Sequence, residues 1–285
     1  MERKRKRQHY TVKQHIIHSL VYIELVIVAL IILIPVVWII GSSLGRSSSL
    51  ASAKIIPDRP TLNNYVRLFK ETKFAKWYVN TLQVAIINMI ASTLISTLTA
   101  YVFSRFRFRG KKGVLMGIMV LQMFPTYMSM TAIFILYQNF GILDNLYALT
   151  LTYIAGQIPY NTWLMKGYMS GMSKSLDEAA MLDGATKLQI FTKVILPLST
   201  PMITFVAVST FMTPWMDYIL PRLLLRSESK KTLAVGIYDL INSDTNNNYT
   251  MFASGAILVA VPIAILYMAL QKYLIYGITA GGTKE

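Results

Sequence analysis

Tyr153, Gln157 and Asn161 stand at i, i+4 and i+8, a spacing that puts all three on one face of an α-helix. A phenol ring beside two carboxamides offers hydrogen-bond donors and acceptors without net charge, which suits a neutral solute rich in hydroxyl groups. Gln122 and Tyr127 repeat the combination, and Trp215, Asp217 and Tyr218 gather further along. Inside a bilayer such residues also serve helix–helix hydrogen bonding, and a tryptophan beside an acid also serves as an interfacial anchor. Bond-making chemistry is missing. There is no H-E-x-x-H, no G-x-S-x-G and no cysteine, and His9, His15 and His18 all crowd the N-terminus. A phosphate-cradling GxxxxGK[ST] loop is absent too, since Gly110-Lys111 has Arg105 where the first glycine must stand.

The elements that must hold these residues are membrane helices. The chain is 54% hydrophobic and 14% charged, outside the usual composition of a soluble domain. A spanning helix needs roughly 20 apolar residues, and six runs qualify: Ile16 to Leu44, Asn80 to Ser104, Gly113 to Tyr137, Asn145 to Met165, Ser199 to Leu225 and Met251 to Tyr276. The first is too long for the core of a signal peptide and lacks a cleavage site, so it is read as a retained span. Five runs hold proline, Pro35, Pro125, Pro159, Pro214 and Pro262 among them, which predicts kinks that could open a cavity. Asn88, Ser92, Ser96 and Ala100 share a face of the second run and predict close helix packing. Glu24, an acid inside the first run, is expected to face the bundle and pair there. The second, third, fourth and sixth runs have cores free of Asp, Glu, Lys and Arg, which disfavours an ion-driven carrier.

A net charge of +15 could mean nucleic-acid binding, but its distribution fits membrane orientation better. With the N-terminus inside, Lys and Arg number six before the first run, five in RFRFRGKK, four from Lys166 to Lys193 and two at the C-terminal end. Outside there are seven in the first loop, none in QNFGILDN and four from Arg222 to Lys231. The short loops obey the positive-inside rule, and the first loop dissents.

The stretch SLDEAAMLDGATKLQIFTKVILP then lies in the cytoplasm. Ser175 with Glu178, and Thr186 with Gln189, predict two capping boxes, and Gly184 sits where the first helix should end. Leu188, Phe191 and Ile195 form an apolar stripe on the second helix. Pro197 ends that helix, and Thr200-Pro201 opens the next span. Far longer than a connection requires, the segment reads as a docking surface.

Its spacing, Glu178-Ala179-Ala180, three residues, Gly184, nine residues, then Val194-Ile195-Leu196-Pro197, resembles the EAA loop of binding-protein-dependent ABC importer permeases. The family pattern has Ile where this chain has Val194. AYVFSRFRFRGKK, LQMFPTYMS, WLMKGYM, LLLRSESKKTLAVG and YGITAGGTKE resemble the sugar-importer branch, most closely its maltose/maltodextrin, MalG-like type. The resemblance implies an all-α, six-span type I importer permease that forms half of a sugar pathway, with a second permease, two cytoplasmic ATPase subunits and an extracytoplasmic sugar-binding protein as partners. It implies ATP and Mg on the ATPase and no cofactor here. It also assigns ATPase coupling to Glu178, Ala179, Ala180, Asp183, Gly184, Leu196 and Pro197. The loop containing NSDTNNN would meet the binding protein. The expected organisation is a basic cytoplasmic tail (1–15), a permease domain (16–276) with the coupling loop at 170–198, and a cytoplasmic C-terminal tail (277–285), in a prokaryotic cell membrane. The path residues are Gln122, Tyr127, Tyr153, Gln157, Asn161 and Trp215. The alternatives are a permease of this class for another solute, or an ion-coupled carrier.

Overall fold

The computed structural model describes residues 12–47, 55–242 and 247–280, with side chains for 16–47, 55–125, 128–242 and 247–271. Every regular element among these residues is helical. α1 (Val12–Ser43), α3 (Phe74–Arg105) and α13 (Tyr249–Ala280) have 32 residues each, about 48 Å at 1.5 Å per residue, well beyond a hydrocarbon core of roughly 30 Å. Ile16–Ser43, Phe74–Arg105 and Tyr249–Gln271 within them are long and apolar enough to cross a membrane. α6 (Leu146–Gly171) is 26 residues long and begins with an Asn145 side chain that accepts the Tyr147 amide. Helix runs past both edges of the expected permease domain, since α1 is already formed at Val12 and α13 persists to Ala280.

Two of the six expected runs are not continuous helices. The third divides into α4 (Lys111–Gln122) and α5 (Thr126–Asn139), with Pro125 extended between them. Proline lacks the amide that an unbroken helix would need there. The fifth is helical only as α10 (Thr200–Met216), because Asp217 takes extended backbone before the short α11 (Ile219–Leu224). Asp217 Oδ1 accepts the Ile219 amide at 2.9 Å, supplying the acceptor that the start of a helix lacks. The sequence reading extended this span to Leu225, and a capping carboxylate eight residues earlier explains the difference.

α3 is the hub and packs most extensively on α6 and α10. Asn88, Ser92, Ser96 and Ala100 are all fully buried, as the small-residue face predicted. Its Trp77 end is held by α12 (Leu233–Asp239), whose Gly236 could not carry a Cβ, because that atom would lie 2.2 Å from the Trp77 ring. Trp77 Nε1 donates to the Glu228 carbonyl at 3.1 Å, and Asn80 Nδ2 donates to the Ser229 and Lys231 carbonyls at 2.9 Å. α1 lies along α13 and is fixed at its end by α2 (Asn63–Glu71), where Asn64 Nδ2 donates to the Ser43 and Gly45 carbonyls at 2.9 and 2.7 Å. Elsewhere α1 is uncovered, and Glu24, expected to face the bundle, is exposed on it.

Candidate functional site: a membrane cleft and a helical loop

A cleft of about 830 Å³ opens between α4, α5, α6 and α10, lined by Gln122, Phe124, Tyr137, Tyr153, Gln157 and Asp217 among others. The break at Pro125 carries Gln122 and Phe124 to its rim. α6 presents Tyr153 and Gln157 one turn apart, as the i, i+4 spacing requires. The Tyr153 hydroxyl donates to Asp217 Oδ2 at 2.9 Å, while Asp217 Oδ1 is occupied by the amides of α11. Gln157 Oε1 accepts from Asn88 Nδ2 at 3.3 Å, and the same amide donates to the Thr210 carbonyl at 2.7 Å. Ser92 Oγ in turn donates to Asn88 Oδ1 at 3.1 Å. Asn88 therefore fixes the orientation of Gln157 from α3. The volume suits a sugar of a few rings, and carboxamide, phenol and carboxylate oxygens are groups that hydroxyls recognise.

Two expected path residues fall elsewhere. Asn161, one turn further along α6, is buried and outside the cleft. Trp215 is buried among Tyr78 and Phe211, with ring centroids 5.2 and 5.8 Å away, and lines a separate apolar groove against α12 and α13. The side chain of Tyr127 lies outside the described residues. Conversely, Asp217 and Asn88 matter more than their sequence setting suggested. Asp217 reads as an interfacial acid until the α10 break turns it inward, and Asn88 reads as packing until α6 is placed opposite it.

At the Arg105 end of α3, residues 173–199 build the second feature. α7 (Ser175–Leu182) closes with the amides of Gly184 and Ala185 donating to the Met181 and Ala180 carbonyls at 3.0 and 2.9 Å. Gly184 has φ +80°, the left-handed backbone that glycine takes at least cost. The Thr186–Gln189 capping box forms as expected at the start of α8 (Lys187–Ile190). The Ser175–Glu178 box does not: Ser175 is already helical, and Ser173 Oγ accepts the Ser175 amide at 3.2 Å. Beyond α8 the chain widens into a π-turn (Phe191–Ile195) and continues as α9 (Leu196–Leu198), so Pro197 lies within helix and the break falls at Ser199. There the path bends by 74° into α10.

The expected apolar stripe splits by direction. Phe191 and Ile195 are buried against Tyr101, Met165 and Met169 and bind the loop to the helices. Leu188 is 71% exposed and, with Met181 at 51% and Leu182 at 90%, forms an uncovered apolar surface around the Gly184 turn. Glu178, Ala179, Asp183 and Pro197 are exposed on the same loop, while Ala180 and Leu196 pack inward on the buried cluster. Met181 and Leu182 were missed in the sequence, where an exposed and a buried apolar residue look alike. Asp177 was missed as well. It is turned inward, 2.8 Å from Arg105 Nε, and Arg105 Nη1 donates to the Met172 carbonyl at 3.3 Å.

Residues 92–279 match the family of binding-protein-dependent transport system inner membrane components. Among curated proteins, the chain is 43% identical over 266 residues to the galactooligosaccharides transport system permease protein GanQ of Bacillus subtilis, covering 92% of this chain and 94% of that one. It is 41% identical over 263 residues to the maltodextrin transport system permease protein MdxG of the same organism, covering 92% and 95%. A solved chain from a bacterial ABC transporter involved in importing the acidic polysaccharide alginate superposes with a TM-score of 0.79 at 27% identity, over 94% of this chain and all of that one.

Proposed function

The chain belongs to the family of binding-protein-dependent transport system inner membrane components, and we propose that it is the permease subunit of an ABC importer for a neutral oligosaccharide of the maltodextrin or galactooligosaccharide type. In this reading the broken third and fifth runs count as one span each, giving six spans with both termini in the cytoplasm. The cleft between α4, α5, α6 and α10 is this subunit's wall of the sugar pathway, with Gln122, Gln157, Tyr153 and Asp217 facing the solute. A second permease supplies the opposite wall, an extracytoplasmic binding protein delivers the sugar at the Trp77 end, and two ATPase subunits holding ATP and Mg dock at the Arg105 end. The names of the relatives support the sugar class.

One observation carries the proposal. The spacing of Glu178, Ala179, Ala180 and Gly184 folds as two helices about a left-handed turn that expose Met181, Leu182 and Leu188. Apolar side chains uncovered outside the spans fit a protein partner. Ala179 beside them is small enough to admit a close approach.

The test is to copurify the complex and measure its ATPase rate with the binding protein and either maltodextrins or galactooligosaccharides. Stimulation by one of these neutral sugars is expected, while stimulation only by a charged or non-sugar solute would reject the sugar assignment.

A further inference from the structure

The buried Arg105–Asp177 pair has a use that anchoring alone does not explain. Their side chains are only 6% and 11% exposed, and the ion contact is 2.8 Å. Among the described residues, Arg105 Nη2 and Asp177 Oδ1 have no hydrogen-bond partner. Burying two charges with part of their bonding capacity unmet is an expensive way to hold a helix, because an apolar pair of similar size commonly holds as well or better. Its merit is direction and strength of attachment between one atom group on α7 and one on α3. α7 turns Asp177 inward while its Met181 and Leu182 look outward, so the helix that carries the uncovered surface is attached through Asp177 to the end of α3.

α3 is suited to pass a displacement on. It is the one described helix of more than fifteen residues with no proline or glycine inside, and sharp kinks arise chiefly at such residues. From Arg105 to Asn88 is roughly 25 Å of helix at 1.5 Å per residue. At Asn88 the rod meets Gln157 of the cleft and the Thr210 carbonyl of α10. We propose that the Arg105–Asp177 pair is the tie through which movement of the ATPase-docking loop reaches α3 and, through Asn88, reorients Gln157 and the cleft wall. Both are positioning residues, and the proposal rests on the docking-loop reading above.

The experiment uses the assembled complex with its binding protein. Arg105→Met/Asp177→Leu removes both charges and keeps bulk, Asp177→Asn removes one, and Arg105→Asp/Asp177→Arg exchanges them. Permease level, ATPase retention, maximal sugar-stimulated hydrolysis and the binding-protein concentration giving half stimulation are read for each. The apolar pair is expected to assemble and keep its ATPase yet lose maximal stimulation about tenfold, with the half-stimulating concentration unchanged, and the exchanged pair to recover most of it. Stimulation within about twofold of the parent in an assembled apolar variant would overturn the tie. So would loss of the ATPase from the apolar variant, or a failure to assemble that the exchanged pair repairs, since the role would then be docking or folding. Gly184→Val serves as the control. If it uncouples and the apolar pair does not, the tie alone fails, whereas if neither does, the docking-loop reading fails as well.

Discussion

At the scale of single residues, position against the backbone break decides role. Gln157 carries a polar group into the cleft only because Asn88 holds it, so replacing it by Leu should leave assembly intact and remove one or two hydrogen bonds to a solute. A loss of about 1 kcal/mol per bond corresponds to a transport rate lowered by roughly fivefold for one bond and roughly thirtyfold for two. Transport assays on membranes with matched permease levels would check this, and an unchanged rate would return Gln157 to a packing role. Asp144, at the opposite end, makes a separate prediction. Burial pushes its carboxyl up, but the Ser227 hydroxyl, the Ser227 and Arg226 amides and Lys230 outweigh this and hold it at about 2, below its ordinary 3.8. A carboxylate held low stabilises the fold fully above about pH 4 and loses that contribution as pH falls through about 2. Asp144→Asn should lower the protection of the Arg226 and Ser227 amides against hydrogen exchange about tenfold at neutral pH and abolish the pH dependence of that protection below about 4. The i, i+4 spacing of Tyr153 and Gln157 survives folding, and both line the cleft. Asn161 lies outside the cleft because helical spacing cannot say where a cleft ends, and Trp215 lines the groove against α12 and α13 instead.

At the scale of elements, the loop between α6 and α10 was the most legible part. Its two helices, the Gly184 turn and the Thr186 cap follow from local rules that involve only neighbours in sequence. What those rules could not reach was the inward turn of Asp177 toward Arg105, the π-turn that carries helix through Pro197 with Phe191 on Tyr101, and the missing Ser175 box, where Ser173 Oγ takes the Ser175 amide. Gly184→Val tests the element. A Cβ there meets open space, so the cost is backbone strain at positive φ, about 1 kcal/mol or more, together with a branched side chain on the exposed surface. Permease levels should hold, while ATPase retention or sugar-stimulated hydrolysis falls severalfold. Normal values of both would remove the coupling role. The broken third and fifth runs were legible as prolines but not as breaks, because membrane helices tolerate proline when neighbouring groups satisfy the freed carbonyls.

In the whole molecule, α3 joins a polar cleft among the helices to an apolar loop at its Arg105 end. The long apolar runs pointed to a helical membrane chain and the short-loop charges to its orientation, since both signals lie in local stretches of sequence. They could not show that the described side chains of α1 from Ile16 to Val37 would stand exposed, Glu24 among them, because an apolar run reads the same whether or not this chain covers it. The central claim is that sugar crosses by a pathway this chain shares with a second permease, driven by ATP on a partner. The direct test is uptake of labelled oligosaccharide into proteoliposomes holding this chain alone or the full complex, with binding protein supplied on the uptake side and either ATP within or an imposed proton or sodium gradient. The account predicts uptake only by the full complex with ATP. Uptake by this chain alone along an ion gradient would contradict it.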